Sequence, residues 1–239
     1  MNVYPNASAN LLRAVLVNHA DVPDACRAPF PDELHDHIRD VVGYGKVNAG
    51  TLFRSTDYEV VLLAEDTILN DSHQFYELPL PEFFLRSNRA TRQLRVTLAY
   101  CPPVRTTRVD YVATKISYRL VKGRSLAEVQ RHFNQALKKD VEKTIPDASQ
   151  AKRQITSQER EKGTVQSSVW EFRQLSPKDK WFVVVTRQDK DWGALLCKES
   201  EDYALVVTVS DRENQEVQLY TQIQARIREQ ARVRARLGV

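Results

Sequence analysis

The sequence predicts a mainly β protein with helices, an α+β chain in which a jelly-roll or β-sandwich module over residues 56–239 follows a helical segment over 1–55. Three observations predict it. Near residue 55 the spacing of apolar residues changes from helical to a period of two or to short apolar runs, the respective signatures of an amphipathic helix and of a strand. Beyond that point come about seven short runs rich in Val, Ile, Leu, Tyr and Thr, each bounded by turn residues. Between the two regimes lies Gly43-Tyr44-Gly45-Lys46-Val47-Asn48-Ala49, where two glycines one residue apart permit a tight turn with φ > 0.

Composition bounds the class. At 239 residues, with 42% hydrophobic and 28% charged residues, the chain can bury one large core or two modest ones and is not disordered throughout. A net charge of +4 creates no global field that demands a polyanionic partner. Cys26, Cys101 and Cys197 are odd in number and widely spaced, which does not suit a disulfide framework and points to a reducing compartment. Asn6, Ser8, Asn10 and Arg13 interrupt the apolar run a signal peptide would need. No run approaches the roughly 20 apolar residues that span a bilayer. The expected location is cytoplasmic, away from membranes, although a targeting signal would be missing with the rest if the chain were the end of a longer one.

Ser8 can cap a helix with Leu12, Val15, Leu16 and His19 at helical spacing and Leu11 and Ala14 widening the stripe, which Pro23 ends. Arg13 is read as a solvated or structurally paired cation. In Asp24–Asp40, His35-Asp36-His37 invites a metal reading. Residues two apart on a helix project about 200° apart and cannot close on one ion, so a surface helix is preferred and no metal ligand is assigned. Asn48-Ala49-Gly50-Thr51-Leu52 is compatible with a short helix.

Taken together, the stretch Asn10-Leu11-Leu12-Arg13-Ala14-Val15-Leu16-Val17-Asn18-His19-Ala20 and the later Gly43-Tyr44-Gly45 turn resemble the last part of a subtilisin-like serine protease domain. In that family a helix of this pattern ends in a small residue, a variable loop follows, and a Gly-x-Gly-x-x-Asn/Asp-Ala turn leads into the final helix. The match covers 5–53. The resemblance implies that 1–55 is the C-terminal remnant of a subtilisin-like α/β catalytic domain. It also implies that the Asp, His and Ser of the triad, which run in that order, all precede Met1. A helix severed from its domain would leave its Leu12–Ala20 stripe uncovered, making 1–55 the less stable part.

The strands are expected at Tyr58–Ala64, Gln74–Leu80, Gln93–Tyr100, Asp110–Val121, Thr164–Phe172, Trp181–Arg187 and Tyr203–Ser210. In the fourth, Val112, Thr114, Ile116, Tyr118 and Leu120 alternate with Tyr111, Ala113, Lys115, Ser117 and Arg119, giving one core face and one wet face. In the third, Leu94, Val96, Leu98 and Tyr100 oppose Gln93, Arg95, Thr97 and Ala99 in the same way. Pro79, Pro81, Pro102 and Pro103 punctuate strand ends. Seven short strands suit two sheets that cover one another. In long members of the subtilisin-like family, the resemblance adds, such modules commonly follow the catalytic domain.

Ser125-Leu126-Ala127-Glu128 is a capping box opening a helix with Leu126, Val129, Phe133 and Leu137 on one side. Residues 138–163 read as a charged, solvated insertion with little apolar periodicity. Glu213–Leu237 reads as a helix with Tyr220, Ile223, Ile227 and Ala231 on one stripe. It ends in Arg226, Arg228, Arg232, Arg234 and Arg236, a solvated basic tail in preference to a phosphate-binding one, since no aromatic is interleaved.

A serine nucleophile needs a strained elbow, a base in reach and oxyanion donors, and no Ser sits in such a pattern. His19, His73 and His132 are isolated in sequence, and Gly43-x-Gly45 lacks the rest of a phosphate loop. No catalytic, cofactor-binding or metal residue is assigned. Trp170, Trp181, Trp192, Tyr203 and Tyr220 could line a groove or fill the space between sheets, and the second is preferred. The expected function is that of the non-catalytic C-terminal region of a subtilisin-like serine endopeptidase, with a structural, substrate-presenting or regulatory role. Its partner would be a polypeptide substrate or the missing catalytic segment, with nucleic acid disfavoured. The rival is a self-standing binding module for a protein or nucleic acid.

Overall fold

The first helix begins where Ser8 can accept an otherwise orphaned amide: its hydroxyl takes the Leu11 N–H at 3.1 Å, and α1 runs Ala9–Asn18. The computed structural model describes residues 6–31, 38–48, 50, 52, 55–56, 58–85, 91–123, 125–136, 151–153, 155, 157–172, 178–211 and 219–224. After α1 come β1 (Ala20–Asp21), α2 (Asp24–Arg27), α3 (Ile38–Val42), β2 (Lys46–Val47), β3 (Glu59–Leu69), β4 (Ser72–Glu77), α4 (Glu82–Leu85), β5 (Arg92–Tyr100) and β6 (Thr114–Gly123). Then follow α5 (Leu126–Ala136), β7 (Ala151–Arg153), α6 (Ser157–Lys162), β8 (Val165–Phe172), β9 (Lys180–Asp189), a 3-10 turn at Asp191–Gly193 and β10 (Ser200–Asp211).

The chain is mainly β with helices, and every strand pairing among the described residues is antiparallel. One sheet has the order β3-β10-β5-β8-β7, a second has β4-β9-β6, and β1 pairs with β2 in a small ladder. All seven expected strands are present, several longer than their apolar runs because pairing carries polar residues with it. The two larger sheets share one core: Leu94, Val96 and Leu98 of β5 and Leu205 and Val207 of β10 join Ile116, Leu120, Val183 and Val185 of the opposing sheet. The Tyr118 hydroxyl crosses from β6 to donate to the Val96 carbonyl at 2.9 Å. Trp170, Trp181 and Tyr203 are buried in this core, as the packing reading of the aromatics expects.

Both sheets are covered on their outer faces as well. Leu11, Ala14 and Val15 of α1 pack on Ala99, Ala204 and Val206 of the five-stranded sheet, whereas Val129 and Phe133 of α5 pack on Val121, Phe182 and Val184 of the other. The stripe of α1 is therefore covered, contrary to the expectation for a severed helix, and β5 has no wet face: Thr97 and Ala99 are fully buried beneath α1. Of the expected stripe, Val15 is buried and Leu12 and Leu16 are 42% and 44% exposed, because the face that meets the sheet is Leu11-Ala14-Val15-Asn18. On β6 the alternation holds, with Ile116, Tyr118 and Leu120 buried, although Ser117 on the other face is buried too.

Three further departures have local causes. The first helix ends at Asn18, well short of Pro23, since Ala20 and Asp21 pair with Val47 and Lys46. Gly43 (φ 60°) and Gly45 (φ 93°) make the anticipated turn, and a side chain at Gly45 would strike the Asp21 carbonyl at 2.2 Å. Gly50 and Leu52 are in turns rather than a helix, and Thr51 lies outside the described residues. Within the segment read as a solvated insertion, β7 pairs with β8, α6 forms, and Ile155 is buried with its amide on the Ser168 hydroxyl at 3.1 Å. Edge pairing supplied there what periodicity did not.

Candidate functional site

Polar chemistry concentrates where the strands meet their loops at one end of the two-sheet body. Arg187 of β9 has no exposed side-chain surface, so its charge must be fully partnered. It makes a two-pronged bond to Asp189 (2.8 and 2.7 Å) and donates to the carbonyls of Ile68, Glu199 and Lys198 at 2.8, 3.0 and 2.7 Å. Burial works against its charge, but Asp189 more than compensates and raises its pKa. One guanidinium thus ties the β3 end to the 190–199 loop. Cys197 nearby has its thiol pKa raised by burial and by Asp189, which keeps it a poor nucleophile.

The 101–113 loop is clasped to the same structure. Ala113 accepts the Lys190 amide at 2.9 Å, Gly193 sits against Ala113 so closely that a Cβ would lie 2.6 Å from its carbonyl oxygen, and Lys190 pairs with Asp110. The hydrogen bond from Lys190 holds the Asp110 carboxyl below its usual range. The Arg108 guanidinium stacks 5.0 Å over the Trp192 ring. Trp192 is thus the one tryptophan outside the core. On this clasped pair of loops the apolar tips face outward: Leu195 is 100% exposed, Val109 90%, Val104 52% and Leu196 50%.

The first turn of α1 reaches the same rim. Asn10 donates to the Asp202 carbonyl (3.3 Å), the Ser8 amide to Glu65 (3.1 Å), and Arg13 to the Tyr100 carbonyl and the Thr164 hydroxyl (3.2 and 2.9 Å). Arg13 is therefore structurally paired, as read. Farther along α1 a buried polar seam replaces apolar packing. Asn18 bonds Thr97 and Thr208, Thr97 bonds Ser167, and Arg95 donates to the Asn18 and Ala20 carbonyls at 2.5 and 2.7 Å, satisfying the helix end. Nothing in the sequence marked Arg95 or Arg187. Arg95 stands on the face of the third expected strand read as polar and Arg187 closes the sixth, and a cation within or directly after an apolar run is the one signal that could have flagged them.

The histidines occupy separate places. The His19 ring faces the Val15 carbonyl at 3.0 Å; His132 is exposed; His73 lies 2.8 Å from the Thr186 hydroxyl and edge-on to Phe133, at 5.1 Å between centroids. Burial lowers the His73 pKa, opposed by a backbone contact at Phe133. The Tyr76 and Tyr203 hydroxyls lie within hydrogen-bond reach of each other, Tyr203 also of Gln74 and Tyr76 also of Asp66; with one O–H each they donate two of these three contacts, and burial raises the pKa of both phenols. No group of three His, Cys, Asp or Glu among the described residues is placed to hold a metal. Cys26, Cys101 and Cys197 are free thiols. His35-Asp36-His37 and the basic residues Arg226–Arg236 lie outside the described residues. Tyr220 is 39% exposed on the helical segment 219–224, while Ile223 is buried in the core.

No helix among the described residues is long and apolar enough to cross a membrane. No protein-family model matches the chain. Over 230 residues, 94% of its length, the chain is 33% identical to a protein of Sinorhizobium fredii (strain NBRC 101917 / NGR234) that bears the description uncharacterized protein y4bN. The alignment spans 52% of that protein, so the chain spans about half the length of the curated relative it matches.

Proposed function

We propose that this chain is the non-catalytic C-terminal region of a subtilisin-like serine endopeptidase, and that it braces the catalytic half of the parent protein. The observation that carries the reading is that α1 is apolar on two sides. Leu11, Ala14 and Val15 are spent on the sheet, yet Leu12 and Leu16, one helical turn apart, remain about half exposed, whereas a surface helix needs only one apolar stripe. A second covering body would use them. The positive-φ turn at Gly43 and Gly45 and the length of the relative, roughly twice the aligned stretch, support the same reading.

The module itself is read as a jelly roll. Wrapping one long antiparallel hairpin into two sheets alternates its strands between them, and the order β3-β10-β5-β8 opposite β4-β9-β6 has that alternation, with β7 added at the edge of the first sheet. Proteolysis would belong to the parent, by the acyl-enzyme route of a Ser-His-Asp triad.

The test is to read the frame upstream of the Met1 codon and express the full product. A Gly-Thr-Ser-type motif and stoichiometric labelling of the longer protein by a fluorophosphonate, with none on the 239-residue chain, is the expected result. A closed frame with its own ribosome site would instead favour a self-standing binding module, a reading to which the covered inner stripe of α1 lends support.

A further inference from the structure

The clasped loops 101–113 and 190–199 leave an apolar crown that the core does not use. We propose that this crown is the seat on which the catalytic half of the parent chain docks, an inference that rests on the C-terminal-region reading above. The crown is built to be held still. Arg187 fixes both Lys198 and Glu199 from beneath, Gly193 abuts Ala113, Lys190 pairs with Asp110, and Arg108 stacks on Trp192. A rigid tip that presents Leu195 with 100% of its surface and Val109 with 90% gains nothing for folding, since neither side chain has packing to lose.

Its composition is that of an interface centre. Trp, Tyr and Arg are the residues most enriched where binding energy concentrates, and Arg108 over Trp192 is such a pair; Leu195 and Val109 add exposed apolar area beside it. Arg108 is occupied by a ring rather than a carboxylate, so the surface it meets is apolar with a carboxylate opposite the guanidinium. The occupant follows from the chain path. The cap residue Ser8 and Asn10 and Arg13 of α1 are bonded to Glu65, Asp202, Tyr100 and Thr164 at the rim from which the crown projects. A domain joined ahead of α1 therefore enters at this end and is tethered within reach of the crown, which raises its effective concentration there. The relative carries roughly as many residues again as the aligned stretch, enough for such a domain.

The test compares hydrogen exchange in the intact parent protein and in the 239-residue chain. Amides in 104–112 and 191–197 are expected to exchange at least about tenfold more slowly in the parent. The double variant Val109→Asp and Leu195→Asp in the parent returns them to the rate of the chain alone, while Leu126→Asp on α5 does not. Equal exchange in both proteins, with the parent still labelled by a fluorophosphonate, overturns the crown and leaves the C-terminal-region reading standing. A frame without a catalytic half, or a parent that the probe does not label, removes that reading and the crown assignment with it. Protection that appears in the chain alone with rising concentration, with a dimer by light scattering that Leu195→Asp dissolves, assigns the crown to a second copy and also overturns the proposal.

Discussion

Two helices cover the two sheets, and they are attached by different physics. α5 is held through Val129 and Phe133, with Phe133 edge-on to Phe75 and His73, and its seat is almost entirely apolar. α1 is apolar only along its first two turns. Its last turn rests on Asn18, Thr97, Thr208 and Ser167, with Arg95 closing the helix end. An apolar seat is non-directional and tolerates sliding, whereas a buried polar seam is satisfied in one register only. α1 is therefore a fixed part of the body, although its sequence reads as an ordinary amphipathic helix.

The largest effect expected is from Phe133→Ala, which empties the aromatic seat. It should destabilise by about 3–5 kcal/mol if α5 stays docked. If α5 detaches instead, the loss is smaller, and faster exchange confined to 126–136 marks it. Chemical denaturation read beside hydrogen exchange separates the two outcomes. Arg95→Met comes next. It leaves the Asn18 and Ala20 carbonyls without their donor, at about 1–3 kcal/mol for a buried unsatisfied group. It should loosen α1 and leave α5 untouched. An unchanged exchange rate in α1 would show that the seam adds no rigidity.

The two attachments should also part on acidification. Burial holds the folded His73 below the ordinary value of 6.5, so the folded state keeps the neutral ring and the unfolded chain takes up the proton first. The stability due to the neutral ring is full above about pH 6.5 and is lost as pH falls from there toward the lower folded pKa. His73→Gln should flatten that part of the profile; a profile identical to the wild type would remove His73 as its source. The smallest effect is expected from Leu12→Ser, which touches no core and should change the stability of the chain by less than about 0.5 kcal/mol. A larger loss would mean that the outer side of α1 is already covered in the isolated chain. Amides of Leu11–Asn18 should meanwhile be protected to within about tenfold of Arg95–Leu98, as docking on the sheet requires.

What the sequence determined by itself was local. Period-two alternation or short β-branched runs bounded by turn residues placed all seven expected strands, and Ser125 and Glu128 placed the start of α5, where the Ser125 hydroxyl accepts the Glu128 amide at 3.2 Å. Ser8 and the Gly43–Gly45 turn were legible for the same reason: capping and positive φ are properties of one or two residues. The tertiary structure decided what covers what. Leu11 and Leu12 are adjacent and chemically alike, yet one is buried and the other 42% exposed, since the choice depends on Ala99, Ala204 and Val206 of a sheet assembled from distant strands. Arg95 and Arg187 could not be assigned for the same reason. A buried cation is permitted only by carbonyls and carboxylates that distant segments bring to it, and no spacing along the chain records where those will lie.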